Sequence, residues 1–591
     1  MSLELKEFTD LLLTHPMVGA GPIPSAQDPD GVYPYESYAE TSRRPVVRAY
    51  RFVSIENEQV RATICPDLGG KVYSLVHKPS GKETLFVAPV VRPVRILPRQ
   101  FFIGGGIEVS FPISHTPVQI VPVRYAVEST ADRLYVWCGE REVRFGMHWT
   151  VEYSLGADDD FLTQRTCFRN PTSEAHPWMS WSNAGVPAKP DTEFHFPGGP
   201  VLSHGDAMRT IDWAAEGPKR QADIARMTGY FWREPDAEAF GAYTPSVGAG
   251  LYHVADRRSA PGMKLWSDGV GRDEPWVAQY TLDGQQCLEI QAGPIVDQSI
   301  KEALPPGGEH VHTEFWIPTD RPLDIRALKA PNVELPPAER MPTFEFARRE
   351  ETERWERVAD AYEQRDPELL PPPPGADANE WAPTGLERLA EALRWAAEAA
   401  PEDAPSWLMQ LGAWYAGKDR IDEALDALLA SGEDRALALA ARLYRRCKGD
   451  PRAAASCYRR MRSTALVLHP QVTYERDVAL AEIGPETLEE REAWLARTSA
   501  LPDEWLVERR AALLADQGRY EEARQLLAST SFQLIHQRYA RTKLWRRIVD
   551  ALGEPAAPAP ASLGEDDLFA FGAYREYEEG ECGAAALPYF G

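Results

Sequence analysis

The chain reads as a two-part protein: an N-terminal region of large antiparallel β-sheets packed face to face, then an all-α region of paired helices. Three observations predict this. Short runs in which apolar and polar residues alternate fill residues 45 to 320. Beyond residue 380 the apolar spacing turns helical and the composition shifts to Ala, Leu, Arg and Glu. Between the two stands LLPPPPGADANE, whose four consecutive prolines can neither continue a helix nor pair in a sheet. At 591 residues the chain is too long for one core, and ten of its twelve His lie before residue 330, so architecture and chemistry change together.

Taken in order, residues 1–44 form an N-terminal extension opening with MSLELKEFTDLLLTHP. Its apolar run is too short and too acidic for a secretory signal. Residues 45–330 carry the β-type runs RFVSIEN, VRATICP, KVYSLVH, RYAVEST, RLYVWCG, HWTVEYSL, FLTQRTCFRN, QYTLD, CLEIQAG and HTEFWIP, rich in β-branched and aromatic residues. So many strands require large stacked sheets. Residues 331–378 hold a charged helix, TFEFARREETERWERVADAYEQR, and the proline linker. Residues 379–555 are helical repeats. Leu408, Leu411, Gly412, Tyr415, Ala424 and Leu428 fall at the offsets of a tetratricopeptide-type helix pair, and the small-then-bulky pair returns at Ala454 with Tyr458 and Ala523 with Leu527. Residues 556–591 form a Gly-rich, aromatic tail.

Charge and cysteine usage narrow the function. A net charge of −25 with no basic stripe disfavours nucleic acid or an anionic membrane as partner. Seven scattered cysteines without a CxxC pair argue against a disulfide framework and a structural zinc site, and read as reduced thiols. No apolar run is long enough to span a bilayer. The expected location is the cytoplasm.

The stretch FFIGGGIEVSFPISHTP sets Glu108 and His115 beside Gly104, Gly105 and Gly106. Without Cβ atoms the glycines permit positive φ and a close approach by a ligand. The run CPDLGGKVYSLVHKPSGKETLF resembles the opening hairpin of the galactose mutarotase-like superfamily. GGIEVSFPISHTP, NPTSEAHPWMSWSNAGVPA, GMKLWSDG, LEIQAGPIVDQ and LPPGGEHVHTEFWIP, in that order, resemble a mutarotase-like family of unassigned function whose members commonly carry tetratricopeptide repeats behind the β-domain. The resemblance covers about residues 40 to 320. It implies a β-supersandwich with a broad open cleft, and a carbohydrate as ligand.

A pyranose needs aromatic faces for its C–H surface and polar groups for its hydroxyls. Trp178, Trp181, Trp266 and Trp316 lie in the matching motifs, as do Asn183, Lys264, Glu289 and Gln291. Of these, Trp181, Asn183, Lys264, Trp266 and Gln291 are the substrate-binding candidates, with His115, which resembles the superfamily's substrate-binding histidine. Glu289 matches the superfamily's catalytic glutamate. Where mutarotases carry a second, acid histidine, this chain reads Trp181-Ser182-Asn183, and Asn transfers no proton at neutral pH. Epimerisation then lacks its acid unless His148 or His176 supplies it, and His148 joins the binding candidates. Glycoside hydrolysis needs two carboxyl groups instead, which Glu108 and Glu289 can provide as the catalytic pair. The leading expectation is therefore a glycoside hydrolase, with an aldose 1-epimerase and a non-catalytic sugar-binding module as alternatives. No cofactor or metal is implied, since His310 and His312 share one strand face without a third spaced ligand. The repeats would bind a protein partner, build a homo-oligomer or brace the β-domain.

Overall fold

The computed structural model describes residues 3–563, apart from 20–37, 43, 98–99, 113–114, 116, 205–207, 226–227, 271–284, 297–301, 348, 376–377, 379, 499–503 and 533–537. The expected run QYTLD and the tail from residue 564 onward lie outside the described residues.

Among the described residues a 12-stranded and an 8-stranded sheet dominate the N-terminal half, beside three two-stranded ones. In the large sheet β1 (Glu4–Thr14), β2 (Val46–Glu56), β3 (Val60–Cys65), β4 (Lys71–His77), β5 (Gly106–Val109) and β6 (Ser182–Pro187) follow one another side by side. Next come β7 (Thr228–Trp232), β8 (Gly262–Ser267) and β9 (Cys287–Gly293), in the spatial order β9, β8, β7, and then Pro200–His204 and Met208–Asp212. The smaller sheet runs through Arg124–Ser129, Arg133–Arg141, His148–Gly156, Leu162–Arg169, Glu309–Thr319, Ala249–Ala255, Ala239–Thr244 and Glu193–His195. The strands pair antiparallel. Within the stretch read as an N-terminal extension, β1 forms the edge of the large sheet, with Glu4 opposite Glu56 and Thr14 opposite Val46.

Side chains alternate between faces along a strand, so register decides what each face holds. Ile107, Ala184, Ile290 and Leu265 are cross-strand neighbours in the large sheet. They meet Val136, Trp149, Val151, Phe168 and Trp316 of the smaller sheet in one core. Burying a side chain of this size contributes roughly 1.5–3 kcal/mol, so the facing layers dominate the stability of this half.

The C-terminal region is helical. Arg349–Gln364 precedes the prolines, and Pro371 and Pro374 are buried instead of bridging solvent. Ala404–Gly417 pairs with Ile421–Ser431, where a Cβ on Gly412 would stand 2.5 Å from Leu428 Cγ, so the glycine is what lets the two helices close. The helical region docks on the β region: Thr384 Oγ1 donates to Arg144 O at 2.6 Å, and the Arg141 guanidinium to Gly385 O at 3.3 Å.

Candidate functional site

The face of the large sheet turned away from the core carries a line of polar side chains. Antiparallel register sets Glu108 of β5 opposite Asn183 of β6, Asn183 opposite Gln291 of β9, and Gln291 opposite Lys264 of β8. Ile107 opposite Val72 extends that line to Lys71 of β4. All five are buried, none more than 3% exposed. Two residues along the strands a second line reads Gly106, Gly185, Glu289, Trp266. Glu289 and Trp266 are only half-buried, as is His115 in the loop after β5, which lies near enough to Glu289 for its charge to be felt there. The accessible mouth of the site is thus an acid, an indole and an imidazole above a buried polar floor.

The glycine run closes on the protein's own chain, which corrects the expectation that it cradles a ligand. A Cβ on Gly105 would lie 1.9 Å from Phe86 O, and one on Gly185 would lie 2.5 Å from Gly105 Cα. The Lys71 ammonium donates to Ile103 O at 2.7 Å and Gly105 O at 2.8 Å, pinning the run. His115, just beyond, holds φ at 49°, a conformation costly for a residue with a Cβ. Its Nδ1 stands 3.0 Å from Glu108 Oε1, which also accepts from Asn183 Nδ2 at 3.0 Å. Among the described residues Glu108 Oε2 and Asn183 Oδ1 have no hydrogen-bond partner.

The two carboxyl groups are driven in opposite directions. Burial works against a charge on Glu108, but His115, Lys71 and the Asn183 amide outweigh it and hold its carboxyl below the ordinary range. Burial pushes Glu289 up, the Glu108 charge adds to this, and His115, Lys264 and the Gln291 amide only partly oppose it. Gln291 Nε2 donates to Glu289 Oε2 at 2.5 Å. Lys71 is lowered by burial, with the nearby Glu108 and Glu289 charges resisting. Lys264 Nζ sits in an aromatic box, 4.5 Å from the Phe231 ring centre, 4.9 Å from Trp266 and 5.7 Å from Trp181.

Eight of the nine residues singled out in the sequence come together on this face: Glu108, His115, Trp181, Asn183, Lys264, Trp266, Glu289 and Gln291. His148 does not join them. It lies on the outer face of the smaller sheet, where its Nδ1 meets Phe344 O at 2.7 Å. Trp178 and Trp316 pack in the core. His310 and His312 face the core too, and among the described residues no group of three or more His, Cys, Asp or Glu is placed to hold a metal. The broad open cleft is also not what this line of residues forms, since its floor is covered. Lys71 was missed, although it closes the Asp-Leu-Gly-Gly-Lys turn of the first hairpin motif. Phe231 was missed because nothing in its local sequence marks a ring destined for a lysine.

A family model described as a domain of unknown function (DUF5107) matches residues 27–319, and a model for a C-terminal domain matches residues 355–548. The crystal structure of a TPR-domain containing protein from Parabacteroides distasonis ATCC 8503 is 51% identical with a TM-score of 0.92, over 95% of this chain and 98% of that one. A galactose mutarotase-like protein from Clostridium acetobutylicum matches 46% of this chain and 95% of its own at 13% identity and a TM-score of 0.34. Another from Lactobacillus casei ATCC 334 matches 45% and 99% at 12% identity and a TM-score of 0.35. Among the described residues no helix is long and apolar enough to cross a membrane.

Proposed function

We propose that this chain, which belongs to the family of the TPR-domain containing protein of Parabacteroides distasonis, binds a sugar on the outer face of its large sheet and interconverts its anomers. The observation that carries this reading is the arrangement of His115 between two glutamates of opposite character. In this reading the acid is His115, and neither His148 nor His176 is needed for it. Glu108 takes Nδ1, which leaves Nε2 to meet the ligand and sets a negative charge behind the ring, the support that an imidazole needs to give and retake a proton. Glu289 is the base.

In the proposed step the Glu289 carboxylate takes the proton of the 1-hydroxyl while the His115 imidazolium gives one to the ring oxygen. The bond from C1 to the ring oxygen breaks, and an open-chain aldehyde forms. Rotation about C1–C2 presents the other carbonyl face, the ring oxygen attacks it, and both protons return. Trp266 supplies an apolar platform beside Glu289, while the buried groups beneath hold the mouth in place: Asn183 fixes Glu108, Gln291 fixes Glu289, and the Lys264 ammonium lies against the Trp266 ring.

Hydrolysis is the second reading, and one observation favours it: Glu108 and Glu289 share a face with their carboxyl groups shifted apart, as an acid and base pair requires. It ranks second because Glu108 is already engaged by His115 and Asn183. The contacts of the helical region with Arg144, Gly146 and Ser173 favour a brace for the β-domain over a free partner-binding arm.

Two-dimensional exchange NMR on glucose, galactose, mannose, xylose, fucose and rhamnose, with and without the protein, tests the reading. Accelerated anomer exchange of at least one sugar, lost in Glu289→Gln, is expected. Release of reducing sugar from aryl glycosides without accelerated exchange would select the hydrolase, and binding with neither would leave a sugar sensor.

A further inference from the structure

A second recess, of about 420 Å³, opens on the same outward face of the large sheet at its β1 edge. Its floor is a line of hydroxyls set by register: Ser54 of β2 opposite Thr63 of β3, and Thr63 opposite Ser74 of β4. Their chain neighbours Ile55, Ala62 and Leu75 turn into the core, so the hydroxyls turn outward. Ser74 Oγ donates to Glu83 Oε2 at 2.5 Å, while the Ser54 and Thr63 hydroxyls stay unpaired among the described residues. At one end lies Phe8, held by stacking on Phe52 with ring centres 5.5 Å apart, yet 36% exposed. The charges of the rim cancel: Glu4 and Glu56 stand against Lys6 and Arg61, and just beyond them Lys78 on Glu56 at 3.1 Å is offset by the Glu83 carboxylate on Ser74.

Unpaired hydroxyls beside a fixed, exposed ring, without a net charge, suit a neutral polyhydroxylated ring better than an anion or an apolar ligand. From β3 to β9, which carries Glu289, is four strand spacings, about 19 Å. That separation suits a short oligosaccharide, not a single ring.

We propose that this recess is a second saccharide subsite, which holds a distal residue of an oligosaccharide whose reducing end occupies the central site. It rests on the anomer-exchange reading only for what sits at the other end.

Titration calorimetry with maltotetraose, cellotetraose, laminaritetraose, mannotetraose and xylotetraose, each against its monosaccharide, tests it on the full chain. At least one tetrasaccharide should bind about tenfold tighter than its monosaccharide, a difference of about 1.4 kcal/mol. Phe8→Ala and the cavity-filling Ser54→Trp should each erase that advantage and leave monosaccharide binding and anomer exchange unchanged. Arg61→Ala, an exposed position, serves should either of those variants fail to fold, and should reduce the advantage at least threefold. If no tetrasaccharide has an advantage, or if it survives in the folded variants, the subsite is overturned. Neither result touches the central site, whose reading stands on monosaccharide exchange alone.

Discussion

Strand β6 separates two buried glutamates, one on each face of the sheet, and they are built differently. Ser182 turns into the core and donates to Glu314 Oε2 at 2.6 Å, whereas the next residue, Asn183, turns outward and donates to Glu108 Oε1. Glu314 is 0% exposed and both its oxygens are occupied. Gln164 Nε2 donates to Oε2 at 2.8 Å, His253 Nε2 meets Oε1 at 3.2 Å, and His312 Nε2 stands 3.4 Å from Oε2. Burial opposes its charge, yet His253 and His312 hold the carboxyl far below the usual range. Glu108 is held low as well, but through one oxygen, and it shares its face with a carboxyl that is held high. A saturated carboxylate ties two sheets together; an unsaturated one beside a partner shifted the other way is equipped to move a proton.

Swapping each acid for its amide should separate the two glutamates most clearly. Glu289→Gln should slow anomer exchange about a thousandfold with sugar binding largely kept, since an amide keeps the shape without the proton. Its stability at pH 7 should be equal or higher. The sign follows from the raised carboxyl: it favours the folded state at low pH, and that contribution is lost as pH rises through the folded value, so removing the charge removes the cost. Glu314→Gln should do the reverse and destabilise by about 1–3 kcal/mol in denaturant unfolding, because Gln164, Ser182, His253 and His312 converge on a carboxylate whose second acceptor oxygen the amide lacks. Equal stability losses in the two variants would erase the distinction.

A pH profile sharpens it. If Glu289 must be ionised, the acid limb of kcat/KM should lie above 4.5, the ordinary value for its side chain. Glu108→Gln removes a negative neighbour, so the limb should move down while the rate falls, His115 having lost its support. A limb that stays in place would mean the two carboxyl groups do not feel each other.

Much of this was legible in the sequence, for physical reasons. The change from alternating to helical spacing across the prolines separates sheets from helices because each period matches one backbone geometry. The site candidates converge because motifs on β5, β6, β8 and β9 all place polar residues at the outward parity. The contents of β1 were not legible: ELKEFTDLLLT has no clean alternation, and its place at the sheet edge depends on pairing with Val46–Glu56, a distant segment. Nor was the role of His115, whose contact with Glu108 depends on a positive φ in the loop. The glycine run was read for its freedom, but which chain would crowd it, Phe86 and β6, is a tertiary fact.

A fourth substitution probes the scaffold between Glu108 and Glu289. Gly185→Ala sets a Cβ 2.5 Å from Gly105 Cα, a backbone atom that cannot step aside cheaply. It should destabilise by about 1–3 kcal/mol and lower exchange as well, since the displaced run carries the Gly105 carbonyl that fixes Lys71. A loss of stability with exchange intact would uncouple the glycine run from the site.

The smallest effect is expected at His148, the one candidate on the far side of the sandwich. His148→Ala should leave exchange and sugar affinity unchanged, because its ring faces the 342–346 segment of the chain and not the polar line. It should cost about 1 kcal/mol at pH 8 through loss of the hydrogen bond to Phe344 O. Burial lowers the His148 pKa, with the Phe344 carbonyl opposing, so the folded state prefers the neutral ring. Its contribution is therefore complete above about 6.5, the unfolded value, and is lost as pH falls below it toward the folded one. The Tm gap between wild type and His148→Ala should narrow on acidification from pH 8 to pH 5, measured by scanning calorimetry. A gap that widens would reverse the sign assigned to this histidine, and any loss of anomer exchange would return it to the site.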